Sequence, residues 1–131
     1  MKDVTYSSSC IAYNEGNGQF RIQRLPDQVQ FSSVNAILCT DINKDGKQDL
    51  ILGGNIFDLQ PQFSRLDASY GNLLLNEGNQ SFQVIQQAES GLHLPGVVRD
   101  IVSVRMQQQD FLLFLQNNST PALYRVNSNK P

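Results

Sequence analysis

Histidine and cysteine, the residues on which zinc sites and many catalytic sites depend, are scarce in this sequence. It has one histidine, His93, and two cysteines, with no Cys-x-x-Cys pair and no Cys/His cluster. A structural zinc site needs about four such ligands at characteristic spacings, and a catalytic histidine needs partners that orient it. The sequence also shows no pair of carboxylates placed for acid–base work. We therefore name no catalytic residue, expect that the protein is not an enzyme, and interpret His93 as a solvent-facing loop residue.

Charged residues and long apolar runs are scarce too. Charged residues make up 17% of the chain, the net charge is −2, and no basic stripe runs along the sequence. Because nucleic acids bind clustered positive charge, a nucleic-acid partner is not expected. No apolar run approaches the roughly 20 residues that span a bilayer, so membrane insertion is not expected. The first residues lack the apolar stretch of a signal peptide, and a signal for export would lie outside this sequence.

The two cysteines, Cys10 and Cys39, stand alone on predicted strands. They can pair as a disulfide, or each can pack as a small buried hydrophobic residue. Isolated thiols on strands are more often buried than paired, so the sequence favours two free and buried cysteines.

The most informative segment that is present is the polar loop at residues 41–49. Carboxylate or amide side chains recur at its first, third, fifth and ninth positions, and Gly46 stands at the sixth. Calcium takes about six to eight oxygen ligands at roughly 2.3–2.6 Å, and an alternating run supplies several of them within a few residues. The alternation directs the side chains of Lys44 and Lys47 away from such an ion. The predicted Ca²⁺ ligands are the side chains of Asp41, Asn43, Asp45 and Asp49 and the backbone carbonyl of Lys47.

The segments on either side of this loop predict strands rather than helices. Residues 34–40 and 50–54 are short, apolar or β-branched, and bounded by turn residues. An EF-hand would need two helices and a bidentate glutamate at position 12, which is Leu52 here. The loop is therefore predicted to bind calcium within a β-hairpin. The alternative is a plain polar turn, since Asp, Asn and Gly favour turns for their own reasons.

The chain also contains a repeated hairpin. The segment Asn-Glu-Gly-Asn-Gly-Gln-Phe at 14–20 recurs as Asn-Glu-Gly-Asn-Gln-Ser-Phe at 76–82, an offset of 62 residues. Apolar runs precede and follow both copies, so each copy is predicted to be a strand, a tight turn and a second strand.

A second match lies downstream of each hairpin. It aligns residues 34–38 with 98–102, and residues 49–52 with 110–113. Between the latter two segments, residues 105–109 are shorter than the calcium loop and lack its acidic spacing. No second metal site is therefore predicted, and the strands are interpreted as the repeated architecture, with the metal an addition to one unit.

These matches divide the chain into units of four strands. One complete unit spans residues 34–90, the end of a preceding unit spans 1–33, and a degenerate following unit spans 91–131. Four antiparallel strands at this period are typical of a β-propeller blade, whereas evenly spaced short strands also suit a β-sandwich. The matched hairpins favour an all-β partial propeller of about two antiparallel blades. The predicted strands are 9–13, 19–24, 34–40, 49–53, 71–76, 82–87, 98–105, 110–116 and 122–126.

The calcium loop and the segment after it carry a family resemblance. Residues 41–49 followed by Leu-Ile-Leu-Gly-Gly-Asn at 50–55 resemble the FG-GAP, or VCBS-type, repeat of integrin-α-like propellers. Residues 54–71 resemble the C-terminal region of bacterial FG-GAP/VCBS proteins of the ASPIC/UnbV-associated kind, and the family resemblance as a whole covers about residues 10–126. In this family the first, third, fifth and ninth loop positions bind calcium, which match Asp41, Asn43, Asp45 and Asp49.

The resemblance implies a function as well as a fold. It implies an extracytoplasmic protein (secreted, periplasmic or on the cell surface) of which this chain is a fragment, with the remaining propeller blades as its neighbours. Its role would be a binding or scaffold module for a protein or glycan partner. Two alternatives are part of a propeller enzyme and a purely structural segment that closes the propeller.

The longest segment without a strand pattern, residues 55–69, is the other candidate site. Long loops within compact repeats are often functional. In one interpretation the loop contacts a ligand, or lines the funnel of a propeller enzyme, through Phe57, Arg65, Asp67 and Tyr70. In the other, which the sequence favours, it packs over its own blade and Arg65 pairs with Asp67 or with a neighbouring loop.

Overall fold

The computed structural model describes residues 6–57 and 68–127, and within them the chain is an antiparallel all-β protein. A short 3-10 helix at Asp27–Phe31 and a one-turn helix, α1, at Gln87–Ser90 lie between strands, and no described helix is long and apolar enough to cross a membrane. Every predicted strand is confirmed, although the first ends at Gly16 rather than residue 13. The strands are β1 (Cys10–Gly16), β2 (Gln19–Arg24), β3 (Val34–Thr40), β4 (Asp49–Gly54), β5 (Asn72–Gly78), β6 (Ser81–Ile85), β7 (Val98–Met106), β8 (Gln109–Gln116) and β9 (Ala122–Arg125).

The described strands form three sheets that follow one another along the chain. Sheet 1 contains β1 and β2, sheet 2 contains β3 to β6, and sheet 3 contains β7 to β9. Each strand pairs only with its neighbours in sequence, so each sheet is a simple antiparallel meander. Sheet 2 is the four-stranded unit that the sequence predicted.

The repeated hairpins share one backbone conformation. In the first, the Asn14 side chain accepts a 2.9 Å hydrogen bond from the Gly16 amide, and in the second Asn76 accepts one of 2.9 Å from Gly78. A positive φ at both central residues is what a type I′ turn requires, and the twist of that turn suits antiparallel strands. The three tight hairpins have positive φ at Asn17, Gly18, Asn79, Gln80, Gln107 and Gln108.

Within the residues that the structure describes, two hydrophobic cores lie between the sheets. Strand β4 contributes to both, with Ile51 in one core and Leu52 in the other, because successive residues of a strand point to opposite faces. Sheet 2 therefore packs on both of its faces. The buried residues between sheets 1 and 2 are Leu25, Val29, Leu52 and Leu74. Those between sheets 2 and 3 are Ala36, Ile51, Leu92, Leu94, Val98, Ile101, Leu112 and Phe114.

Sheets 2 and 3 approach each other closely at Gly53. A β-carbon at this position would lie 2.5 Å from Cγ1 of Val98, far closer than van der Waals contact. Val98 is fully buried in β7. The missing side chain of Gly53 thus allows the backbone of β4 to pack against the valine.

The structure corrects the predicted alignment of the second match by one residue. Ile37 pairs with Leu52 in sheet 2, and Ile101, which matches Ile37, pairs with Phe114 in sheet 3. Leu52 therefore corresponds to Phe114, whereas the sequence alignment placed it opposite Leu113. The corrected offset between β4 and β8 is 62, the same as for the hairpins, whereas residues 34–38 and 98–102 are 64 positions apart. A shift of one residue exchanges the two faces of a strand, which is why the sequence pattern alone did not fix the register.

The prediction of buried cysteines is wrong, although both thiols are free as favoured. Cys10 and Cys39 are both exposed. Cys39 pairs with Leu50 on the face of sheet 2 that is directed toward sheet 1, and Ile37 on the same face is 60% exposed. The described part of sheet 1 has two strands, and Val34 at the start of β3 packs against the core beneath them, whereas Ile37 and Cys39 further along β3 stay exposed.

Candidate metal centre

The acidic loop, which is the polar segment at residues 41–49, joins β3 to β4 at one end of sheet 2. The ladder between these strands extends to the pair Thr40 and Asp49, so the loop begins and ends at adjacent positions. Within it, φ is 60° at Lys44 and 86° at Gly46. A β-carbon on Gly46 would meet no atom within 4 Å, so the backbone conformation, and not lack of space, favours glycine there.

The side chains of the first and third loop positions are directed into the loop. The amide nitrogen of Asp45 lies 3.0 Å from Oδ1 of Asp41 and 3.1 Å from Oδ1 of Asn43. The Gly46 amide donates a 2.8 Å bond to the other carboxylate oxygen of Asp41. Two of the predicted ligands thus bring their oxygens to the same backbone nitrogen, as a compact oxygen site requires.

Asp49, the ninth position, is fully buried at the base of the loop. Its Oδ2 accepts a 3.0 Å bond from the Ile42 amide, and its Oδ1 accepts a 2.8 Å bond from the Asn76 amide in β5. These bonds compensate for removing a charge from water, and they fix the carboxylate in place. A carboxylate has about four lone-pair sites, so two of them remain for another partner.

Lys47 does not follow the prediction that its side chain points away from the site. Its Nζ lies 2.6 Å from Oδ2 of Asp45, because the negative loop attracts the nearest cation. The hydrogen bond from the Lys47 side chain is the main cause that lowers the pKa of Asp45, and the same bond raises the pKa of Lys47. Lys44 does point away, since its Nζ lies 3.4 Å from Oδ2 of Asp110 in sheet 3.

The donor set is of the kind that calcium prefers. Three carboxylates and one amide supply hard oxygen ligands, and the chain offers backbone carbonyls beside them. Yet within the described residues no group of three or more His, Cys, Asp or Glu side chains is arranged to hold a metal ion. The loop oxygens are bonded to backbone amides and to Lys47 instead. The residues fit calcium by their chemistry, and binding would require the Lys47 ammonium to leave Asp45.

Comparisons with known proteins do not bear on the calcium assignment. No family model, no curated protein and no solved structure matches the chain. The resemblance to FG-GAP/VCBS repeats therefore stays a prediction. The metal assignment depends on the spacing and the chemistry of the loop side chains.

The second candidate site is only partly within the described residues. Arg65 and Asp67 lie outside them, so their proposed pairing and their contact with a ligand stay predictions. Tyr70 stacks on His93, with ring centroids 5.2 Å apart and an angle of 13° between the planes. His93 is exposed, as predicted. Phe57 lines a shallow depression beside residues 95–97 and 116–119.

Sequence reasoning missed Asn55, the polar residue that organises the start of this segment. Asn55 is fully buried and has a φ of 77°. Its Oδ1 accepts bonds of 3.0 Å from the Ser69 amide and of 3.0 Å from the Ser32 hydroxyl. Its Nδ2 donates to the carbonyls of Ser69 at 2.7 Å and Gly96 at 3.2 Å. One side chain thereby joins three separate segments, and the only signal in the sequence is an asparagine directly after two glycines.

Proposed function

We propose that this chain is a calcium-braced segment of a β-propeller that acts as a binding or scaffold module. The observation that carries the metal part is the loop in which Asp41 and Asn43 direct oxygens to one point, with the buried carboxylate of Asp49 at its base. A bound calcium ion would neutralise carboxylates that otherwise repel one another across a tight turn.

The propeller part is supported by the way the sheets follow one another. A β-sandwich pairs two sheets and leaves the outer face of each to solvent. Sheet 2 instead contributes to a core on each of its faces. The corrected offset of 62 between β4 and β8 equals the offset between the hairpins, and the offset of 64 between β3 and β7 is close to it, as expected when one unit is repeated.

The residues of the loop have distinct roles in this proposal. Asp49 would hold the ion beside β5, because its Oδ1 accepts a hydrogen bond from the Asn76 amide of that strand. At the Asp45 carboxylate, the ion would replace the Lys47 ammonium. Calcium would therefore brace the hairpin between β3 and β4 against the middle of sheet 2.

The partner in this proposal is a protein or a glycan outside the cytoplasm. The propeller loops would form the contact surface, and the segment at residues 55–69 is one candidate among them. Propeller enzymes and purely structural closing segments are the alternatives. An enzyme requires Arg65 or Asp67 to act with a second catalytic group, whereas a structural segment requires no ligand at all.

A melting experiment tests the calcium brace. Treatment with EDTA should lower the melting temperature, and calcium added in excess should restore it, because a ligand that binds the folded state stabilises it by mass action. Asp45→Ala should remove the response to calcium while the strands stay folded. Asp27→Asn, which changes an exposed carboxylate far along the sequence from the loop, is the matched control and should respond like the unaltered chain. A melting temperature that changes with neither EDTA nor calcium would refute the proposed calcium site.

A further inference from the structure

An open groove of 530 Å³ lies between sheet 2 and sheet 3. Its volume falls within the range of about 300–1,000 Å³ that is common for binding sites. The floor is continuous with the core between these sheets, because Ile51, Leu92 and Leu112 belong to both. The groove is thus continuous with the packed interface between sheets 2 and 3.

The walls of the groove are apolar and belong to the last strands of each sheet. Sheet 2 contributes Leu75 of β5 and Ile85 of β6, and the sheet 3 side contributes Tyr124 of β9 and Val126 just after it. Polar side chains, Glu89 and others, lie among the lining residues as well. Apolar walls with a few polar groups favour a ligand that is itself apolar along one side.

The position of the groove follows from the repeat. Sheet 2 has a fourth strand, β6, whose Phe82 and Val84 pack into the core that sheet 2 shares with sheet 1. Within the described residues, sheet 3 stops at its third strand, and β9 pairs with β8 alone. The groove therefore lies where a fourth strand of sheet 3 would pack against sheet 2.

We propose that this groove binds an extended peptide strand, which adds antiparallel to β9 as the fourth strand of sheet 3. The inference rests on the repeated architecture proposed above. Free strand edges offer backbone donors and acceptors for such an addition, and pockets for alternate side chains give it specificity. The occupant needs two apolar residues separated by one residue, so that both point toward Leu75 and Ile85.

The chain itself shows the chemistry of a suitable occupant. The fourth strand of sheet 2 carries Phe82 and Val84 at alternate positions, and the corresponding strand of sheet 1 carries Phe20 and Ile22. A polypeptide segment with the pattern Phe-x-Val or Phe-x-Ile is therefore the proposed occupant.

A peptide with the sequence of residues 79–87, Asn-Gln-Ser-Phe-Gln-Val-Ile-Gln-Gln, is the probe. Labelled with a fluorophore and titrated with the complete chain, it should bind saturably, and the amides of Ala122–Arg125 should exchange more slowly with deuterium in the complex. A control peptide with Phe82→Ser and Val84→Ser should bind at least about tenfold more weakly, since it loses two apolar side chains. Equal binding of the two peptides would overturn the proposal.

Two variants locate the binding to the groove. Leu75→Lys places a charge on the wall at a half-buried position and should abolish binding while the amide spectrum keeps its dispersion. Ile37→Ser changes a residue that is 60% exposed outside the groove and should bind the peptide as the unaltered chain does. Undiminished binding to Leu75→Lys, or exchange protection at Cys10–Gly16 in place of β9, would overturn the groove. So would self-association through Phe20 and Ile22 without any peptide binding.

The same titration in calcium and in EDTA separates this inference from the proposed function. A calcium-dependent melting temperature without peptide binding would overturn the groove alone. Peptide binding without any response to calcium would support the groove and refute the calcium brace. Failure of both would refute both proposals.

Discussion

The amide of Asn76 in β5 donates a 2.8 Å hydrogen bond to the buried carboxylate of Asp49, the last residue of the acidic loop. The other oxygen of this carboxylate accepts from Ile42, near the start of the same loop. Asp49 thus stabilises the fold even before any metal is considered. Its structural role and its proposed ligand role can be separated, because the other loop side chains lack such burial.

Substitution of Asp49 should destabilise the chain more than substitution of any other predicted ligand. Asp49→Ala leaves two partly buried amides without an acceptor and should cost about 2–5 kcal/mol of unfolding free energy. Asp49→Asn keeps one acceptor oxygen and should cost less. Asp41→Ala, measured in EDTA by urea unfolding, is the control and should cost about 1 kcal/mol or less, since its bonds lie in an exposed loop. Equal costs for Asp41→Ala and Asp49→Ala would contradict the anchoring role.

The pair formed by Lys47 and Asp45 predicts a shift in acid titration. The pKa of Asp45 is lowered mainly by the hydrogen bond from Lys47, so this carboxyl contributes stability above its unfolded pKa and loses it as the pH falls through the lower folded value. Lys47→Met should move the pKa of Asp45 up toward the ordinary 3.8, as followed by the ¹³C shift of its carboxyl carbon. An unchanged titration curve would show that the pair does not form in solution.

At alkaline pH the same ion pair predicts a change in stability with the opposite dependence on pH. The pKa of Lys47 is raised above 10.5, chiefly by the hydrogen bond to Asp45, so its contribution is present below the unfolded pKa and is lost as the pH rises through the higher folded value. Asp45→Asn should bring the Lys47 titration back toward 10.5, as read from the shift of its ε-carbon. An unchanged Lys47 titration in Asp45→Asn would contradict this cause.

Lys47→Met should also strengthen calcium binding if the loop binds calcium. The substitution removes the cation that competes for Asp45 and keeps the backbone carbonyl predicted as a ligand. Isothermal titration should show a lower dissociation constant than for the unaltered chain, by about tenfold or less, as for an exposed ion pair. Lys44→Met is the matched control. A weaker affinity in Lys47→Met would mean that the lysine supports the site and does not compete with the ion.

Asn55→Ala should destabilise the chain strongly, because it leaves the Ser69 amide and carbonyl without the partners that one side chain supplies. The expected cost is about 2–4 kcal/mol of unfolding free energy. Asn55→Asp keeps the acceptor but loses the donor and buries a charge, so it should also be costly. Gln28→Ala, at an exposed amide side chain, should cost about 0.5 kcal/mol or less. A small cost for Asn55→Ala would show that the three segments are held in place without it.

Gly53→Ala should destabilise the packing between sheets 2 and 3. The added β-carbon would lie 2.5 Å from Val98, and overpacking of a dense core costs about 1–3 kcal/mol. Val98→Ala makes room for the new methyl group, so the double variant should lose less stability than the sum of the two single changes. Strict additivity in a double-mutant cycle would show that the cost of Gly53→Ala does not arise from contact with Val98.

The sequence predicted the strands well because their signals are local. Alternating apolar residues and the Asn-Glu-Gly-Asn turns depend on neighbours in the chain, and these same turns adopt matching conformations in the structure. The candidate calcium loop was recognised in the sequence for the same reason, since its predicted ligands fall within nine positions. The register of β8 was not predicted, because residues 111–115 are apolar on both faces and either alignment satisfies the pattern.

The features that the sequence did not predict depend on distant parts of the chain. Asn55 has partners in segments that lie up to 41 positions away. The exposure of Cys39 depends on how far sheet 1 extends over sheet 2, which no property of β3 reveals. The direction of the Lys47 side chain depends on the total charge of the loop, whereas strand alternation describes only the backbone.

The contact at Gly53 also has a geometric consequence. Sheets 2 and 3 touch where β4 meets Val98, yet they are separated by a groove of 530 Å³ at their last strands. Two sheets that meet at one side and diverge at the other form a wedge. Successive wedges of this kind would bend a stack of sheets into an arc, with the close contact between Gly53 and Val98 on its inner side.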